Sequence, residues 1–187
     1  MKIKNACKHF AKICKHKYWV GKYCFKAGIP WRGIKHDFSK FSPVEFWESV
    51  KYYQGDSSPI DACKKENGWS KAWQHHKGRN DHHYEYWQDD FDHGGHPILM
   101  PKECAIEMFC DYLGAGRAYQ GKNFTYNGEY QWWLKKRENP IAMHPAILRF
   151  IDVSMQMCVT MEKMDTGRIK HFRWLEDMYD EVVEDFK

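Results

Sequence analysis

A chain of 187 residues has the length of one ordinary domain and can enclose a core without disulfides or a partner. Hydrophobic residues make up 43% of it and aromatics 17%, which excludes a disordered chain. The 29 Lys and Arg stand against 25 Asp and Glu, a formal charge of +4, so nothing points to duplex nucleic acid as a partner.

The seven cysteines include no Cys-x-x-Cys pair, which argues against a disulfide framework or a zinc ribbon and for reduced thiols in a cytoplasmic protein. No apolar signal segment opens the chain, and no apolar run is long enough to span a bilayer, so neither export nor a membrane partner is expected. One asymmetry remains: the first 40 residues are rich in Lys and the stretch Glu176–Asp185 is acidic, a polarity that could attract an anionic substrate.

Taken in chain order, residues 5–27 predict a first helix, with Phe10, Cys14, Tyr18, Gly21 and Phe25 recurring along one face and Gly28 and Pro30 ending it. A short second helix is expected to carry Trp31–Phe41. Ser42, Pro43 and Glu45 then supply an N-cap, a first-turn proline and a capping-box glutamate for a third helix reaching about Gly55.

Gly55–Pro59 reads as a loop. The next helical region is roughly Trp69–Gln88, interrupted or bent near Gly78-Arg79-Asn80, and Asp89–Pro97 is irregular. From Pro101 the pattern is helical through Leu113, where Gly114 and Gly116 weaken it, and further helices are predicted at 127–138, 145–164 and 171–185. No segment alternates like a strand. The expected architecture is all-α: one domain over 1–187, a multi-helix bundle that the C-terminal helices complete or extend into a dimer surface.

The chemistry-bearing residues are clustered. His36, His75, His76, His82 and His83 lie close in sequence to Asp37 and Asp81, and imidazole and carboxylate are the usual ligands of Zn, Mn and Fe. On a helix, His36 and Asp37 would point about 100° apart and meet a metal only edge-on. Lys40, one turn on, could hold a substrate phosphate.

In the first helix, His16 sits between Ile13 and Val20, and a buried imidazole needs a partner; His9, on the same row, competes with it. Of the paired histidines, His76 and His83 are favoured over His75 and His82, with Asn80 between them as a supporting or substrate-facing amide. Glu107 and Asp111 share a helix side: Asp111 would complete a metal site, and Glu107 would brace a ligand histidine or act as a base. Arg117 could bind an anion. Tyr130, Trp132 and Trp133 fit core packing better than a contact surface.

In order, His16, His36-Asp37 with Lys40, the paired histidines and Asp111 resemble the H…HD…H…H…D layout of the HD-domain superfamily, over roughly residues 9–120. HDFSK is similar to the HD-x-x-K element of its phosphohydrolases, and DYLGAGRAY resembles the segment after the last aspartate in the HD-GYP branch. HDFSKFSPVEF, AWQHHKGRNDHHYEYW and EMFCDYLGAGRAY resemble more closely a family of small bacterial and phage proteins.

The resemblance implies an HD-like helical core around one or two divalent ions (Fe, Mn, Zn, Ni, Co or Mg). Asp37 would bridge them, with His36, His16 and Asp111 on one metal and His76 and His83 on the other. The implied activity is hydrolysis of a nucleotide or other small phosphoester by a metal-activated water, with Asp37, Lys40, Glu107 and Arg117 as the residues of the reaction. A di-iron oxygenase and a metal-stapled binding protein are the alternatives. The Gly-Tyr-Pro of HD-GYP is missing, and His76, Asn80 and His83 lack the spacing of an HNH nuclease.

Overall fold

The computed structural model describes residues 2–55, 57–164 and 169–187. Position 56, inside the loop expected at 55–59, position 1 and positions 165–168 lie outside the described residues. Among those described there are nine α-helices: α1 (Lys2–Ala27), α2 (Pro30–Lys35), α3 (Pro43–Lys51), α4 (Pro59–Asn67), α5 (Lys71–Lys77), α6 (Lys102–Gln120), α7 (Tyr126–Arg137), α8 (Pro145–Met164) and α9 (Trp174–Glu184). The fold is an all-α bundle, as expected. Two segments, β1 (Gln88–Asp89) and β2 (His96–Pro97), pair antiparallel where no strand was expected, but they add only Gln88↔Pro97 and Asp89↔His96.

Local chemistry places most boundaries. Ser42 Oγ accepts from Glu45 N at 3.4 Å, Ser70 Oγ from Trp73 N at 3.0 Å and Thr125 Oγ1 from Gly128 N at 2.9 Å, capping α3, α5 and α7. Pro30, Pro43 and Pro59 open α2, α3 and α4, where a missing N–H costs nothing. Helix α4 is an element the sequence pattern did not predict; the left-handed Gly68 at φ 78° stops it. Helix α3 also ends at Lys51, earlier than Gly55.

One core cluster runs from Val20 on α1 to Val182 on α9, through Phe109, Trp133, Phe150 and Phe172. Its spine is the contact of α1 with α6. A Cβ on Gly114 would stand 2.4 Å from Val20 Cγ2 and 2.9 Å from Val20 N. Gly114 therefore does not weaken α6, which runs on to Gln120; it lets the two helices touch.

Two expectations about faces need correction. The row Phe10, Cys14, Tyr18 and Phe25 is exposed, with Phe25 at 74%, and α1 buries Ile13, Val20, Tyr23, Cys24 and Ala27 instead. Both rows are apolar, and α6 packs on the one whose small and branched residues allow close approach. On α7, Trp133 is fully buried while Trp132 is 45% exposed, so core packing accounts for only part of that aromatic run.

Candidate metal centre

The second helix does not carry His36 and Asp37. It ends at Lys35, His36 caps it at φ −45°, ψ 128°, outside the helical region, and Asp37 sits in the left-handed region at φ 56°, ψ 25°. Aspartate is one of the few side chains that adopts this conformation readily. The break matters because it replaces the divergence of neighbours on a helix with convergence: both residues, only 1% and 0% exposed, enter one group. A 3₁₀ turn, Phe38–Phe41, follows and brings Lys40 Nζ to 2.6 Å from Asp37 Oδ2.

A similar break follows α5. Helix ends at Lys77, and the turn is held by Arg79 N donating to His76 O at 3.1 Å and His83 N to Asn80 O at 3.2 Å. Asn80 Nδ2 donates to His76 O at 2.7 Å and to Ser39 Oγ at 2.8 Å, so Asn80 ties this turn to the 3₁₀ turn after Asp37. The chain reversal puts three imidazoles, His76, His82 and His83, beside Asp37.

Among the described residues three groups could hold an ion, the donor atoms in each lying within 4.8 Å of one another. Two share the Asp37 carboxylate: His16, His36, Asp37 and Asp111, and Asp37, His76, His82 and His83; His36, His82 and Glu107 form the third. Asp37 Oδ2 is 3.0 Å from His16 Nε2 and 3.1 Å from His36 Nε2. Its other oxygen, Oδ1, is 3.3 Å from His76 Nε2 and 3.6 Å from His82 Nε2. Asp111 Oδ1 lies 3.1 Å from His16 Nε2. Within the second group His83 Nε2 stands 2.9 Å from His76 Nε2.

Several of these atoms bond one another directly, His16 Nε2 to Asp37 Oδ2 and His83 Nε2 to His76 Nε2 among them. Asp37 Oδ1 and His82 Nε2 are buried and form no hydrogen bond, so a cation could satisfy both. The all-nitrogen-and-oxygen set suits divalent transition metals.

The outer nitrogens are as well ordered as the inner ones. Glu107 Oε1 takes His36 Nδ1 at 2.8 Å and His82 Nδ1 at 3.1 Å, fixing both rings with Nε2 inward, the usual arrangement behind metal-ligating histidine. Arg32 Nε, 2.5 Å from Glu107 Oε2, holds that carboxylate, and Arg32 also bridges to Asp81. Glu45 does the same for the second group, with Oε2 2.8 Å from His76 Nδ1 and Oε1 2.6 Å from His75 Nδ1.

Electrostatics follow from these contacts. Burial pushes the Asp37 carboxyl up, but His36, Lys40 and His76 outweigh it and hold it well below the usual carboxylate range; burial likewise acts against Asp111, which His16 and His36 hold low. Glu107, despite burial, is drawn down to about 2 by His36 and His82. His83 is kept neutral by burial and by His82 and His76, and a neutral imidazole is the form that ligates.

The sequence candidates therefore divide. His16, His36, Asp37, His76, His83 and Asp111 come together, with His82 as a further member and with Lys40 on Asp37. His9 does not join them; it packs against Phe46 and Tyr53. His75 turns to Glu45, Asn80 supports the turn, and Glu107 braces two rings. Arg117 lies elsewhere, donating to Tyr23 Oη at 3.3 Å and stacking over Trp19 and Phe124. Arg32 and Glu45 were missed as site residues. Glu45 read as half of a capping box, and the only signal against that was the pair of histidines needing acceptors.

A family model matches residues 5–157, which include every member of the group. The chain belongs to that family, a family of unknown function (DUF5662). No curated protein and no solved structure matches the chain. Among the described residues no helix is long and apolar enough to cross a membrane.

Proposed function

We propose that this DUF5662 chain is a metal-dependent phosphohydrolase holding two divalent cations, acting on a nucleotide or other small phosphoester. The observation that carries the reading is the division of labour at Asp37, whose two oxygens face two separate imidazole sets. A carboxylate so placed can bridge a cation pair, and the order of the ligands is the one that the HD-domain resemblance implies. Cations bound there would lower the pKa of a water and offset charge on phosphoryl oxygens.

The chain's own residues do the rest. His16, His36 and Asp111 would hold one ion and His76, His82 and His83 the other, with Glu107 and Glu45 keeping the inward nitrogens free to ligate. Lys40, which lines the adjoining cavity and pairs with Asp37, would bind a phosphate oxygen and offset its charge. That cavity of about 230 Å³ is bordered by His16, His76, His83 and Asp111, which favours catalysis over a closed structural site.

The test is a screen of metal-loaded protein against mono-, di- and cyclic nucleotides and simple phosphoesters. Turnover of at least one, lost by more than 1,000-fold (on the order of 4 kcal/mol) in His36→Ala and Asp37→Ala, is expected. Equal rates in those variants would remove the proposal. Anaerobic metal analysis with spectroscopy for a coupled iron pair separates the oxidative alternative.

A further inference from the structure

Helix α1 has two apolar rows, and the core takes only one. The other, Ile3, Cys7, Phe10, Cys14, Tyr18 and Phe25, recurs at helical spacing and stays in solvent. Beside it α2 and the 3₁₀ turn bring Ile34, Phe38 and Phe41, the first two 55% and 57% exposed. Phe10 and Phe41 meet edge-on with ring centroids 5.8 Å apart, and an open groove of about 600 Å³ runs between α1 and these elements. Lys17 and Lys22 are the charged residues of its lining. Lys17 turns inward, its Nζ donating to the carbonyls of Ile34 and His36, and Lys22 lies over the Trp19 ring.

The charge around this face has one sign. Lys4, Lys8, Lys15 and Lys22 are exposed along the flank of the apolar row, and none of the four forms an ion pair among the described residues. Residues 1–44 contain a single acid, Asp37, which is buried in the candidate metal centre. Glu176 of α9 comes near Gly28, beyond the end of the row.

A broad exposed apolar face rimmed by lysines marks a docking surface, and its chemistry selects among occupants. A second copy of the chain would bring the same lysines against these, and like charges on paired faces repel. The apolar row contains no Arg, Asn, Gln, Ser or Thr to read a base edge. Apolar burial without directional hydrogen bonds, with lysines at the edge, suits a bilayer surface: rings and aliphatic chains enter the acyl boundary while the lysines reach the headgroups.

We propose that this face of α1, α2 and the 3₁₀ turn docks on an anionic lipid surface. Phe25, Ile34 and Phe38 enter the interface, and Lys4, Lys8, Lys15 and Lys22 meet the headgroups. The absence of a membrane partner expected from hydropathy concerned a span; a helix lying in the interface needs no such apolar run. His9, Lys12 and His16, which border the cavity at the metal centre, project from another side of α1, so docking leaves that cavity open. Nothing here rests on the phosphohydrolase reading.

Co-sedimentation of the full chain with vesicles tests the proposal, using phosphatidylcholine alone and phosphatidylcholine mixed with phosphatidylglycerol. Binding to the mixed vesicles is expected to be at least tenfold the stronger. Phe25→Ser with Ile34→Ser should weaken it by at least about tenfold through lost apolar burial. Lys8→Ala with Lys15→Ala should weaken it by roughly 30-fold, the attraction of two lysines to an anionic surface. A second measurement needs no substitution: Cys7 and Cys14 are exposed and the other five cysteines buried, so a polarity-sensitive fluorophore placed on them should shift to the blue when mixed vesicles are added.

No sedimentation with either vesicle, no spectral shift, or binding that survives the Phe25 and Ile34 substitutions would overturn the proposal. So would binding of a single-stranded oligonucleotide, or self-association, that is abolished by those substitutions in a chain that ignores vesicles; the face would then belong to that partner.

Discussion

Glu107 makes no contact with substrate in the proposed scheme, yet it fixes two rings through a single oxygen, at 2.8 Å from His36 and 3.1 Å from His82. Replacing it by glutamine leaves the shape and removes the charge. Chelator competition on Glu107→Gln should show metal affinity reduced by about 10–100-fold, the usual cost of losing such a support; unchanged affinity would show that the rings need no brace. Glu129 presents the reverse case. It is 3% exposed, and burial lifts its carboxyl to about 7, opposed by a hydrogen bond from Gln120 and aided by the charge of Asp111. Because its folded pKa exceeds the unfolded one, the stability it contributes is complete below about 4.5 and lost as pH rises through about 7. Glu129→Gln removes that loss. At pH 8 it should be more stable than the parent by an amount on the order of 3 kcal/mol, and at pH 4 the two should coincide, as read from urea midpoints.

The helices set the site by their crossings. His16 lies on α1 and Asp111 on α6, and these side chains meet because Gly114 lets the helices touch at Val20. An alanine methyl there would press on the Val20 backbone as well as its side chain, so relief requires the helices to separate. Gly114→Ala should cost about 1–3 kcal/mol by overpacking and should weaken metal binding in the same protein, since the donors on the two helices move apart. Lower thermal stability with undiminished metal affinity would mean that the crossing and the site are independent. The turn after α5 acts similarly on the other donors, for His82 and His83 join His76 only where the helix has stopped.

Across the molecule, His16, His36, Asp37, His76 and His82 are held in one buried place, so cation binding there would be linked to folding. Saturation with a divalent metal at about 1,000 times Kd should add about 4 kcal/mol to the folded state. For a chain of this length that raises Tm by roughly 8–16 °C, reversed by a chelator and absent in His36→Ala. A metal-insensitive melting curve would contradict the centre itself. The C-terminal helices α8 and α9 supply Phe150, Ile151, Leu175 and Val182 to the common core, and so support the centre from outside without entering it.

The composition made the bundle legible, and the clustering of His and Asp with the order of ligand types in the HD-domain resemblance named His16, the His36-Asp37 pair, His76, His83 and Asp111 as candidates; for His16 and Asp111 a polar side chain on an otherwise apolar helix needing a partner added to it. What could not be read was direction. Helix α1 has two apolar rows, and periodicity does not say which one α6 will cover. The left-handed Asp37 ends a helix where the local pattern continues it, and the interruption near Gly78, though legible, did not show which way the chain turns, so the second histidine of the His82-His83 pair gained an equal companion in the first. Glu45 looked like a cap because a capping box is local, whereas its acceptors' partners arrive from another helix thirty positions on. Residue type is a property of the chain; the side on which each residue ends is a property of packing, since only neighbours brought from far along the sequence decide which face loses its water.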